Sequence, residues 1–554
     1  MCVCVCVCVT VCDEFMATSG MEVKHTKCGI LHGRRSGSSW SKNDTTGEVR
    51  LCIQQKELPV YDREQSYTYL GYNINISNTA SLQQAADVVD DFKATLDKID
   101  AAPLPTVAKL QAINTIACSK LNFYFPNLTF TVKSLKEMED CIVKNVRAWL
   151  RLNNSSTRSF MFTPRAHGGL GILNPSAMYS AKHLSFSLAV LNCDDPQVRE
   201  TARASLTLHM QKRKVPVAPE ADSNTFAGYQ RTEEGNLLKQ CRVTWARSDW
   251  VHLNELCVRD GVVLEHRLTD DNYLLTFTLD NEMTVSVFDS KAAYRLCKQR
   301  KNSAFAELWK EKDWQGRVVR EAREIDHRLS NAYLNNVKLR DSLISFVIRG
   351  RLQLLQCNSL MSLYYPNECS QRCTLCNFPT ETVSHILNGC AKYQLLYQAR
   401  HNRVVDVVTS YIPAGVSLVV IKDTCLTPSL FGSDAEAFRT TATRPDITII
   451  NQSSREVFLV EIAVPFDAFI DVCYASKFDK YLPLCLEINA FGYACRTLVL
   501  IIGSLGNVHR RVVSGLKLTG MCNRSARWLA KYLSVSVMIG SSRVWQKRCS
   551  DLRV

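Results

Sequence analysis

The stretch RPDITIINQSSREVFLVEIAV, residues 444–464, decides the fold of the C-terminal part of this chain. Ile447–Ile450 is a β-branched run, Asn451–Arg455 is polar, and Val457–Val464 is apolar except at one position. Two such runs joined by a short polar turn read as a hairpin. The exception is Glu461. A carboxylate inside an apolar strand is costly to bury unless it is paired or holds a metal. The hairpin can bring Asp446 and Glu461 to the same end of a sheet. Downstream, a helical segment carries Lys477, Lys480 and Tyr481, and Lys477 and Tyr481 share a face because they are four residues apart. Arg496–Gly503 then supplies a third buried strand. Two carboxylates and a lysine around one Mg²⁺ suit phosphodiester hydrolysis. The carboxylates hold the ion, the ion activates water and polarises the phosphate, and the ammonium offsets the developing negative charge. The plain structural reading of the same residues is a Pro-Asp turn and a Glu–Lys salt bridge.

Upstream lies a Cys/His cluster. Cys373 and Cys376 are followed by His385 and Cys390, a spacing of C-x2-C-x8-H-x4-C. Two cysteines separated by two residues can reach one ion, and three Cys with one His form a closed tetrahedral Zn²⁺ set. A closed set leaves no position for substrate, so the expected role is structural. The stretch from Thr380 to Leu387 reads as a helix start capped by Thr380 or Thr382, presenting His385 inward. Cys369 is a competing ligand. Next to this cluster, Arg400, His401 and Asn402 are placed to reach a phosphate or stack on a base.

The chain has 554 residues, 67 Lys and Arg against 53 Asp and Glu, and a formal net charge of +14. Such an excess favours a polyanionic partner, nucleic acid first. Apolar residues make up 46%, which excludes wholesale disorder. From Lys298 to Arg351 there are 13 basic and seven acidic residues, and from Arg510 onward ten basic residues and one acid. The second run, which opens with Arg510 and Arg511, suits a DNA backbone. Of the 24 cysteines, five lie in MCVCVCVCVTVC at residues 1–12, which reads as a translated dinucleotide repeat. There is no signal-peptide pattern and no apolar run long enough to span a membrane. The remaining cysteines are expected to be reduced.

Between these ends, residues 16–80 read as short strands with turns. Residues 81–152 read as three helices, with Ala86, Val89, Phe92, Leu96 and Ile99 on the apolar face of the first. A tight turn at His167–Gly171 precedes another helical stretch from Pro175. Residues 213–235 are a polar, Pro-rich linker candidate.

A Cys/Cys/His/Cys knuckle, then Arg-His-Asn, then Arg-Pro-Asp, a strand carboxylate and K-x3-Y together resemble the C-terminal half of non-LTR retrotransposon polyproteins with a restriction-like endonuclease. The Pro-Asp…Glu…Lys pattern is similar to the PD-(D/E)xK nucleases. That resemblance implies that Asp446, Glu461 and Lys477 are catalytic, with Tyr481 associated; Arg444 is expected among the nucleic-acid contacts. The second carboxylate is more usually Asp in this group. Met21–Cys28 resembles the reverse-transcriptase palm segment after the catalytic aspartates, and Tyr69-Leu70-Gly71-Tyr72 its primer-supporting hairpin. The helices from 81 to 200 resemble the thumb. The aromatic-Ala-Asp-Asp turn of the polymerase centre is absent from this sequence, so the resemblance implies a truncated element.

The expected architecture is therefore multidomain α+β and α/β. It comprises a repeat-derived tail (1–15), a palm remnant (16–80), a helical thumb-like domain (81–212), a linker region (213–355), a zinc knuckle (356–410) and a PD-(D/E)xK-type nuclease domain (411–554). The expected cofactors are structural Zn²⁺ and catalytic Mg²⁺, the expected partners target DNA and element RNA, and the expected location the nucleus. A non-catalytic zinc-containing nucleic-acid-binding protein, or an inactive pseudogene product, is the alternative.

Overall fold

The computed structural model describes residues 14–22, 28–31, 35–36, 39–40, 52–61, 65–75, 79–212, 223–227, 249–267, 271–278, 283–413 and 418–552. The Cys-Val tract, residues 23–27 of the palm-like segment and most of the 213–235 linker candidate lie outside them. The chain divides into two compact units. One comprises residues 1–97, 116–139 and 175–298, and the other residues 98–115, 140–174 and 299–554.

In the first unit, β1 (Tyr67–Tyr69) and β2 (Tyr72–Ile74) form an antiparallel hairpin. Its two turn residues, Leu70 and Gly71, both have positive φ. That is the two-residue turn whose twist matches a hairpin. The helix α1 (Thr79–Ala101) follows. Its buried positions in this unit include Ala85, Val88, Val89, Phe92 and Leu96. Ala85 rather than Ala86 faces inward; four-residue steps back from Val89 lead to Ala85, which continues the stripe. Phe125, Phe130 and Tyr179 pack edge to face at 5.2–5.7 Å. Tyr179 lies on α2 (Pro175–Leu191), the helix expected from Pro175. A four-stranded antiparallel sheet, Ser223–Ala227, Val262–Arg267, Asn272–Thr278 and Thr284–Val287, belongs to this unit too.

The second unit holds the C-terminal sheet. Helix α3 (Gln394–Tyr411) leads into β3 (Leu418–Lys422), β4 (Ile447–Asn451) and β5 (Glu456–Ala463). These three strands are antiparallel neighbours. Helix α4 (Ile470–Ala490) then crosses over to β6 (Ala494–Ile501), which pairs parallel to β5. A parallel neighbour needs such a crossover. The expected hairpin and third strand are present, whereas β3 was not foreseen. The long helix α5 (Asn523–Asp551) buries Ala526, Leu529, Ala530, Leu533 and Val537 in the core shared with α3 and the sheet.

Residues 503–509, after β6, form a fully buried loop. Its backbone is anchored from two sides. Asp467, fully buried, accepts from the N–H groups of Leu505 (2.6 Å) and Asn507 (3.1 Å). A Cβ on Gly503 would lie 2.5 Å from Asp467 Oδ1, so only glycine allows this approach. On the other side, buried Arg351 donates to the Leu505 carbonyl (3.0 and 3.2 Å) and to the Ser330 carbonyl (3.1 Å). Asp326 N–H donates to the Val508 carbonyl, and Ile325 forms an isolated bridge with His509.

Two histidines in this unit are held neutral. Burial pushes both His327 and His509 down to about 4, and His509 stacks on Tyr474 at 4.3 Å. Their folded pKa values lie below the unfolded value of about 6.5, so the unfolded chain takes up protons first. Stability is therefore complete above about pH 6.5 and is lost as pH falls towards 4. In urea unfolding, His509→Gln should lose about 2 kcal/mol less than the parent chain between pH 7.5 and pH 5. Equal pH dependence of the two chains over this range would contradict it.

Candidate functional site

The register of the β4–β5 ladder sets the carboxylates. Ile447 pairs with Val460, so the next position along the ladder places Asp446 opposite Glu461. Glu461 is buried, 4% exposed. Its Oε1 accepts from Lys477 Nζ at 2.5 Å, and Lys480 Nζ stands 3.9 Å away. Burial opposes the charge of Lys477, but the hydrogen bond to Glu461 together with the charges of Glu461, Cys473 and Asp446 outweighs it and holds the ammonium above its usual range. Lys477 comes from α4, and the position two after Glu461 on the strand is Ala463. Tyr481, fully buried, donates to the Arg444 carbonyl at 2.8 Å, and burial raises its phenol. That bond ties α4 to the chain just before Asp446.

Asp446 accepts from Ile462 N–H at 2.7 Å. His401, from α3, brings Nε2 to 3.4 Å from Asp446 Oδ2 and 3.0 Å from the Ile462 carbonyl. The hydrogen bond to Asp446 raises its imidazole to about 9. The structure thus brings Asp446, Glu461, Lys477 and Tyr481 together and adds His401, which the sequence placed among nucleic-acid contacts. Nothing local marks that role, because 45 residues separate His401 from Asp446.

The remaining expected contacts are spread out. Arg444 is exposed and forks onto Asp423 at 2.9 and 3.0 Å, Arg510 pairs with Glu324, and Arg511 lies over Tyr474. Asn402 is exposed. Arg400 is buried, donating to Ser541 Oγ at 2.7 Å.

The ligand atoms of Cys373, Cys376, His385 and Cys390 lie within 4.8 Å of one another, the one such cluster among the described residues. Cys369 is not in it. Asn377, with φ of +59°, closes the turn after Cys376, and its N–H donates to the Cys373 carbonyl. Thr382 Oγ1 accepts from His385 N–H at 3.1 Å, which makes Thr382 the cap. Phe378 stacks on the imidazole at 4.6 Å. Burial lowers His385, so its imidazole is neutral, as a ligand must be. Burial pushes Cys390 up to about 12. At Cys376 burial acts the same way, but donation from Phe378 N–H and the neighbouring thiols outweighs it and draws that thiol down. Three thiols and one neutral imidazole, mostly buried, match a closed Zn²⁺ site. The knuckle is fixed to α5 by a buried ion pair between Glu381 and Arg548.

No family model matches the chain. Over 191 residues it is 26% identical to the Retrovirus-related Pol polyprotein from type-1 retrotransposable element R2 of Popillia japonica, covering 34% of this chain and 37% of that protein. Over 201 residues it is 24% identical to the Retrovirus-related Pol polyprotein from type-2 retrotransposable element R2DM of Drosophila melanogaster, covering 36% of this chain and 18% of that protein. The matched stretches thus span well under half of these curated relatives. Among the described residues no helix is long and apolar enough to cross a membrane. Over about a third of its length, the chain is thus similar to the retrotransposon Pol polyproteins of R2 elements.

Proposed function

We propose that residues 411–554 are a PD-(D/E)xK-type endonuclease that nicks target DNA for primed reverse transcription, with residues 356–410 as a zinc knuckle. In this reading residues 16–80 are a palm remnant and 81–212 a thumb-like domain, followed by the linker region 213–355 that leads to the knuckle, and element RNA and a nuclear site of action complete the assignment. The observation that carries it is the ladder register that sets Asp446 opposite Glu461, with Lys477 on the same carboxylate.

Two carboxylates are hard oxygen donors of the kind Mg²⁺ takes. Asp446 and Glu461 would hold the ion, which when bound would polarise the phosphate and acidify the attacking water. Lys477 would offset charge on the phosphate. Tyr481 holds the Asp446 turn against α4, and His401 orients Asp446. Arg444, Arg510 and Arg511 would meet the DNA backbone.

A second reading, a non-catalytic zinc-containing binding protein or an inactive remnant, is favoured by one observation. Both carboxylates already carry cationic partners, Lys477 on Glu461 and His401 on Asp446.

The full chain should nick duplex DNA only with Mg²⁺, and Asp446→Ala should lower the rate at least 100-fold. Equal nicking by that variant would refute the catalytic assignment. For the knuckle, the purified chain should hold about one zinc per molecule by elemental analysis, and chelation should lower Tm by about 5 °C or more. Cys376→Ser should lose the zinc; retention of full zinc by that variant would place the metal elsewhere.

A further inference from the structure

Helices α3 and α5 enclose a cleft of about 260 Å³ away from the carboxylates. Its lining includes Arg400, Arg403, Arg543, Tyr532 and Ser536, and no carboxylate. The space takes a group much larger than a water molecule. Arg400 forms its floor. That side chain is 6% exposed, and its Nε has no hydrogen-bond partner although Nη1 donates to Ser541. Burial lowers it to about 10, the mark of a cation with little compensating charge around it. Its stem crosses α5 at Gly540, where a Cβ would stand 2.8 Å from Arg400 Cγ. A glycine in mid-helix is unfavourable by propensity, and here it makes room for the Arg400 stem. Arg403, exposed, donates Nε to Ser536 Oγ at 3.1 Å.

One end of the cleft continues into exposed aromatic rings. Trp528 and Tyr532 stack at 5.5 Å with 14° between their planes, and Tyr411 lies 5.5 Å from Trp528. They are 49%, 38% and 45% exposed. On α5 the positions 528, 532, 536, 539 and 543 form one stripe by helical spacing. That helix carries six basic residues and one acid, Asp551.

We propose that this cleft binds single-stranded nucleic acid. Arg400, Arg403 and Arg543 hold backbone phosphates, while the exposed faces of the Trp528–Tyr532 pair stack on bases. Guanidiniums match phosphate geometry, and exposed rings take bases of any sequence. A duplex keeps its base faces covered, which leaves the rings without a role. The site is distinct from the proposed cleavage centre and is read without magnesium, whichever way the nicking experiment falls.

The test uses the full chain without Mg²⁺ and fluorescence anisotropy with labelled 20-mers of dT, of U and of duplex DNA. The dT and U arms show which sugar is preferred, and the duplex arm separates the cleft from binding at the proposed cleavage centre, because only single-strand binding should depend on Trp528. Trp528→Ala should weaken binding about 5- to 100-fold, with most of it regained in Trp528→Phe. Arg543→Glu should weaken it about tenfold and flatten the salt slope by about 0.7 or more. Both positions are exposed, so unchanged melting temperatures verify the fold. Arg295→Glu, a charge reversal on the helix Ser290–Lys310, should have under a third of the Arg543→Glu effect. Equal losses from the two reversals, an equal loss of duplex binding in Trp528→Ala, or equal competition by a poly-glutamate peptide would overturn the proposal.

Discussion

A carboxylate that points from an apolar strand into a packed interior must find a cation, and Glu461 finds Lys477. Removing Lys477 would leave the buried carboxylate without its nearest cation, which destabilises the strand end. The pair therefore does more than join two residues. It fixes the azimuth of α4 against β5, and so decides which face of that helix carries Tyr481 to the Arg444 carbonyl. The turn before β4 is held from α4, and Asp446 is held from α3 through His401. Three elements distant in sequence converge on one end of one ladder.

Helix α3 has a double role in this arrangement. It follows the knuckle directly, and Tyr397 on its first turns donates to the Ile386 carbonyl and accepts from Cys390 N–H. On one side it sends His401 to the strand end, and on another it lays Arg400 across α5. Residues three or four apart on a helix share a face, while neighbours point apart. Arg400 and His401 are neighbours, which is why one adjacent pair serves two different surroundings.

The parts legible in the sequence are those whose signal is local. The β-branched run, the polar turn and the lone Glu461 announced the hairpin, because strand alternation and turn chemistry are properties of short windows. The knuckle was legible for the same reason, since the cysteine spacing itself bends the chain. The edge strand Leu418–Lys422 was not foreseen; its side chains are mostly exposed and it lacks the apolar alternation that marks a half-buried strand. The burial of Arg400 was hidden too, because it depends on Gly540, 140 residues later. Net positive charge pointed to an anion without locating it; the exposed rings on α5 became meaningful only when α3 lay beside them.

The buried loop at 503–509 bears on how this chain can be cut. Its hydrogen-bonding demands are met by Arg351, Ser330 and Asp326, which precede the knuckle in sequence. A fragment starting at residue 356, the motif boundary, would discard those donors and acceptors and leave polar backbone stranded in an apolar setting. A start ahead of Glu324 keeps them. For expression, and for any natural rearrangement that splices this sheet onto another protein, the transferable cassette is longer than its recognisable motifs.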